Sequence, residues 1–155
     1  DPGRAIGIDE AIGSFAALYD LGRSRFGRMT FVPAHTEYDA PLLAEITASV
    51  LTSLGHNFRP EEIVVTLPPD GQQGRASIAF SLAGRIETVT FSYLWKYPPA
   101  DLLPGLRSFS TRDDPRELVG AHPGDQTLLY VAIREGALDQ LNALLPADTE
   151  MFYEV

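Results

Sequence analysis

The residues most suggestive of chemistry are His35-Thr36-Glu37-Tyr38-Asp39. On an extended backbone alternate side chains share a face, so His35, Glu37 and Asp39 would point the same way. Imidazole and carboxylate in that array are the groups used for acid–base work or a metal ion, and a hydrolase built on this segment is one reading. The plainer reading is a polar loop between a strand and a helix, with Asp39 as the helix N-cap. His56 and His122 stand beside Gly55 and Pro123 in expected loops, and no spacing ties them to His35. Gly13-Ser14 lacks the flanks of a nucleophile elbow. Gly71-Gln72-Gln73-Gly74-Arg75 lacks the lysine and the following helix of a phosphate loop, and reads as a hairpin connection. There is no cysteine, which removes a thiol nucleophile, a thiolate metal site and a disulfide framework together. No cofactor and no metal are therefore expected.

Two further groups suit recognition rather than catalysis. Tyr93, Trp95 and Tyr97 form an aromatic ladder at strand spacing, running out toward Pro98-Pro99. Tyr93 and Trp95 read as core, while the outer end of the ladder could line a pocket or an interface, where Trp and Tyr are over-represented. Downstream, Arg112-Asp113-Asp114-Pro115-Arg116-Glu117 reads as an exposed charged loop. The expected partner-binding residues are accordingly Trp95, Tyr97, Asp113, Asp114 and Glu117.

Charge narrows the partner. The chain carries 21 acidic against 12 basic residues, a formal net charge of −9. That balance opposes nucleic-acid backbones and anionic membrane surfaces, both of which are bound through clustered Lys and Arg. It steers the protein toward basic partners. Lys96 is the only lysine among the twelve cations, an arginine bias typical of a GC-rich coding genome. A small, acidic, cysteine-free α/β chain of this kind suits a non-enzymatic protein-binding module, in its narrower form a bacterial immunity-type protein that neutralises a basic toxin. The alternative is a small-molecule-binding domain with a pocket between sheet and helices.

The elements that must hold these residues follow from periodicity. Residues 1–7 read as a loose lead-in to a helix over 8–22, closed by Arg23, Arg25 and Arg28. A short strand is expected over 29–32. Asp39 and Pro41 start the strongest helix, with Leu42, Ile46, Val50 and Leu54 on one face, Leu43 and Leu51 beside it, and Gly55 as its stop. A strand over 63–67 ends in the turn Pro68-Pro69-Asp70-Gly71. The period-2 runs of 76–82 and 88–95, joined by Ala83-Gly84-Arg85, form an antiparallel hairpin with Ile78, Phe80, Val89 and Phe91 inside and Ser/Thr outside. After it, the sequence suggests a short helix over 101–109 interrupted by Pro104-Gly105, then a loop over 110–124 with one turn near 117–119. A strand over 128–133, a helix over 135–145 and a closing strand over 151–155 complete the chain, with the last two strands parallel or split within one sheet.

The fold class is thus α+β, one domain over 1–155, mainly an antiparallel sheet with a central hairpin and amphipathic helices on one face. The closing strand offers an edge through which a homodimer could form. No run approaches the roughly 20 apolar residues of a membrane helix. Without a signal-peptide pattern in this sequence, a cytoplasmic location is favoured over a periplasmic one.

Overall fold

The computed structural model describes residues 29–121, 127–144 and 152–155. The helix expected over 8–22, its arginine cluster, the lead-in and His122 lie outside the described residues. The described chain is α+β, built from two antiparallel sheets and three α-helices.

Strand β1 (Met29–Pro33) leads through a polar loop into α1 (Ala40–Ser53). The sequence signals for α1 hold at both ends. Asp39 is its N-cap, its carboxylate accepting the Leu42 N–H at 2.9 Å, and Pro41 occupies the first turn, where no N–H is required. At the other end Gly55 takes φ +106°, its N–H donating to Thr52 O and that of His56 to Leu51 O. This paired closure needs a left-handed residue, which glycine provides without strain. The burial of α1 is broader than a single amphipathic stripe. Ala44, Thr47 and Ala48 are buried along with Leu43, Ile46, Val50 and Leu51, whereas Leu42 is only half-buried. The helix contacts β1 and the strand Thr127–Arg134 of one sheet and the strand Val64–Thr66 of the other, so apolar surface is needed on more than one side.

The hairpin is longer than its alternating core. Strand β2 (Val64–Thr66) turns through Pro68–Gly71 into β3 (Gln73–Leu82), which pairs with β4 (Arg85–Leu94) in continuous register from Gln73↔Leu94 to Leu82↔Arg85. Gln73, Gly74 and Arg75, expected in a loop, are the first residues of β3. Ala83 and Gly84 both take positive φ (+50° and +79°), the two-residue turn whose twist matches that of the strands. Ala76, Ile78, Phe80, Val89, Phe91 and Tyr93 are buried on the inner face, and Ser81, Thr88, Thr90 and Ser92 are exposed on the outer one.

Helix α2 (Leu102–Leu106) runs through Pro104-Gly105 without a break and continues as a 3-10 turn, Arg107–Phe109. Pro104 lies in the first turn, where its missing N–H has no intrahelical partner to lose. Gly105 allows close approach to the hairpin, because a Cβ there would stand 2.5 Å from Val89 Cγ1.

The larger correction concerns 110–124. Arg116–Ala121 is not loop but strand β5, and it lies inside the second sheet, whose order is β1-β6-β5-β7. Strand β6 (Thr127–Arg134) and the closing β7 (Phe152–Glu154) both pair antiparallel with β5, so the two run parallel to each other with β5 inserted between them. This is the split arrangement. The helix between them, α3 (Leu138–Asn142), places Leu138 and Leu141 against a second apolar cluster of Val119, Leu129, Val131 and Phe152. Among the described residues, no helix is long and apolar enough to cross a membrane.

Candidate functional site

Two of the segments singled out for chemistry meet at one end of the molecule. The Tyr38 N–H donates to Trp95 O at 2.9 Å, and the buried Tyr93 hydroxyl donates to Tyr38 O at 2.9 Å. Tyr38 is itself fully buried, with its hydroxyl on the Pro33 carbonyl. These bonds tie the loop before α1 to the outgoing end of β4. From the third side, the Trp95 N–H donates to Gln72 O at 2.8 Å, which adds the turn between β2 and β3.

The side chains at this junction are aromatic and charged. Tyr97 is 56% exposed, held by its N–H on Leu94 O at 2.7 Å. The His35 ring meets it edge-on, centroids 6.4 Å apart at 74°. Trp95 is half-buried, and the Lys96 ammonium stands 4.4 Å over its ring, a cation–π contact. Tyr97 separates two open clefts. One, of about 490 Å³, is lined by His35, Thr36, Glu37, Lys96 and Tyr97. The other, of about 250 Å³, is lined by Gln72, Gln73, Leu94, Trp95, Lys96 and Tyr97.

The field at this end is negative. Burial raises the pKa of Tyr93, and the carboxylates of Asp39, Asp70 and Glu37 raise it further, since each disfavours a second negative charge nearby. Asp70 accepts the N–H groups of Gln72 and Gln73 at 3.0 and 3.2 Å, which lowers its pKa and keeps it ionised. Asp39 is fixed by its capping bond, and Glu37 is exposed in the cleft.

His35 and Glu37 line the same cleft, whereas the Asp39 carboxylate is engaged at the start of α1. All three are exposed, the His35 ring lies against Tyr97, and the Asp39 carboxylate serves the helix. Among the described residues, no group of three His, Asp or Glu side chains is placed to hold a metal ion.

The five residues expected to bind a partner are split between two places. Trp95 and Tyr97 belong to the junction at the N-terminal end of α1. The acidic segment lies near the helix's C-terminal end, where Thr111 abuts Gly55, roughly 20 Å away for a helix of this length. Asp113 is exposed, but Asp114 is paired with Arg116 at 3.0 Å. Glu117 is not on an exposed loop. It stands on β5, with Oε1 buried and without a hydrogen-bond partner among the described residues. Lys96 and Asp70, which belong to the junction, carried no local signal beyond a lone lysine and a turn residue, because it is the β3–β4 pairing and the Trp95–Gln72 bond that bring them to the same place.

A third cleft, of about 280 Å³, lies between α2 and the inner face of the four-stranded sheet, with Val32, Pro98, Leu103 and Leu128 in its wall. Tyr130 and Tyr153 line it and hydrogen-bond to each other, both with pKa values raised, chiefly by burial.

No family model, curated protein or solved structure matches this chain.

Proposed function

We propose that this chain is a non-enzymatic protein-binding module that receives a cationic segment of its partner at the Tyr97 end. The observation that carries the reading is the junction of the exposed Tyr97 ring and the half-buried Trp95 with three carboxylates, Glu37, Asp39 and Asp70, beside Tyr93. An arginine or lysine entering the larger cleft would find the Tyr97 ring and the Glu37 carboxylate together, the pairing that gives interface anchors their energy. Lys96 over Trp95 is an intramolecular instance of the same contact. The charge of −9 adds long-range attraction to a basic partner. In its narrower form this is an immunity-type role, in which the module occludes a basic toxin surface. The Asp113 region would then contribute steering rather than contact, since it lies at the far end of α1.

Trp95 is the only tryptophan, so its emission reports on the site directly. Titration with a pentapeptide of alternating glycine and arginine should give a saturable, salt-weakened change in that emission. Y97A and E37Q should each weaken binding several-fold, while D113N should leave it nearly unchanged. Equal affinity in all four proteins would sink the proposal.

The cleft at Tyr130 and Tyr153 supports a second reading, a small apolar ligand carrying one hydrogen-bonding group. Phenol is a suitable probe. If amide shifts at Leu103 and Tyr130 do not saturate up to roughly 10 mM, a concentration covering even millimolar affinity, that reading is removed.

A further inference from the structure

Strand β4 is an edge of its sheet, whose order is β2-β3-β4. Successive residues of a strand direct their N–H and C=O groups to opposite sides. The Ser92 N–H points away from β3, because it donates to Asp101 Oδ2 at 3.3 Å. Thr90, Thr88 and Ile86 therefore also present their backbone groups outward, and no hydrogen bond reaches them from a described residue. Edge strands are ordinarily protected by proline, lysine, a bulge or a covering element. Here Asp101 protects one end, and the rest is a continuous, unbulged run, Arg85-Ile86-Glu87-Thr88-Val89-Thr90. Ile86 is 72% exposed, more than any other large apolar side chain described.

We infer that this edge pairs antiparallel with the same edge of a second copy of the chain, about a two-fold axis through Ile86. The side chains choose both the occupant and the register. An axis at Ile86 sets Arg85 opposite Glu87 of the second copy and Glu87 opposite its Arg85, two facing opposite-charge pairs, and it stacks the two Ile86 side chains. An axis at Glu87 would set two carboxylates opposite each other. An axis at Thr88 would leave Ile86 against threonine and the two Glu87 on a diagonal. Only the first register is complementary in charge and also covers Ile86. The repulsion between two chains of net charge −9 is screened beyond about 8 Å at physiological ionic strength, so the facing pairs dominate locally. The antiparallel arrangement leaves both Tyr97 ends free, because they lie at the opposite end of β4 from its turn. The inference stands independently of what those ends bind.

A contact of this size falls below the ~1,200 Å² of stable interfaces, so the equilibrium is best read by sedimentation of the full chain at protein concentrations on the order of 100 µM in physiological salt. A concentration-dependent dimer is expected. R85E and E87R should each weaken it about tenfold or more, and the double variant R85E/E87R should recover it, because the pairs are reciprocal. I86P removes the outward N–H that would bond across the axis and that makes no bond to a described residue, and should also abolish pairing while the circular dichroism spectrum is kept. A wild-type chain that stays monomeric overturns the inference. So does a dimer that is indifferent to both single charge reversals.

Discussion

At the scale of single residues, side chains were legible in the sequence where their role is local. Asp39 as a cap, Gly55 as a stop and Gly84 in a tight turn each act within a few residues of themselves, so the signal and the structure share one window. Roles that depend on distant chain were not legible. Lys96 becomes part of a site only because Tyr38 bonds to Trp95, and Glu117 reads as an ordinary loop acid until β5 buries its Oε1. Thr47 is another such case. It stands fully buried in α1, and its Oγ1 has no hydrogen-bond partner among the described residues. A buried hydroxyl without a partner loses its hydration and gains nothing in exchange, whereas valine has nearly the same shape and nothing to satisfy. T47V should therefore stabilise the protein by about 1 kcal/mol, read as a higher urea midpoint at unchanged slope. A loss of stability would mean that the hydroxyl is in fact satisfied.

At the scale of elements, the alternating hairpin and the long helix were readable because each carries its own period. Strand β5 was not. Its sequence, Arg-Glu-Leu-Val-Gly-Ala, follows Asp-Asp-Pro, holds charge at one end and glycine near the other, and so mimics a loop. The glycine has a tertiary cause: a Cβ on Gly120 would collide with the ring of Tyr153 on the neighbouring strand. Pro104-Gly105 misled in the same way. Glycine within a helix usually costs stability relative to alanine, by about 0.5–1 kcal/mol. At position 105 the sign should reverse, since the added methyl would press on Val89 of β4. G105A should lower stability by about 1–3 kcal/mol, the cost of overpacking, and combining it with V89A should cost less than the sum of the two single changes. Thermal denaturation of the three variants checks both statements, and a stabilised G105A would contradict the packing of α2 on the hairpin.

At the scale of the whole molecule, the two sheets and the helix between them enclose several tyrosines, and this sets the response to alkali. Burial pushes Tyr38 up to about 12 and also raises Tyr93, Tyr130 and Tyr153. The folded state therefore holds these phenols protonated after the unfolded chain, with values near 10, has begun to release its protons. Stability is full below about pH 10 and falls as the pH rises from there toward the folded values, with Tyr38 alone accounting for about 2 kcal/mol by pH 12. Urea titrations at pH 8 and pH 11 should show this fall, and Y38F should lessen it despite starting about 1 kcal/mol lower for want of the bond to Pro33.

The same enclosure concentrates the exposed aromatic and acidic groups at one end of α1, and the functional proposal rests on that concentration. Its most direct test is to locate binding by backbone amide shifts on titrating the glycine–arginine pentapeptide at physiological salt. Shifts centred on residues 35–39, 70–73 and 94–97 are the predicted result. Shifts centred on Asp113 and Asp114, or spread evenly over the acidic surface, would contradict it.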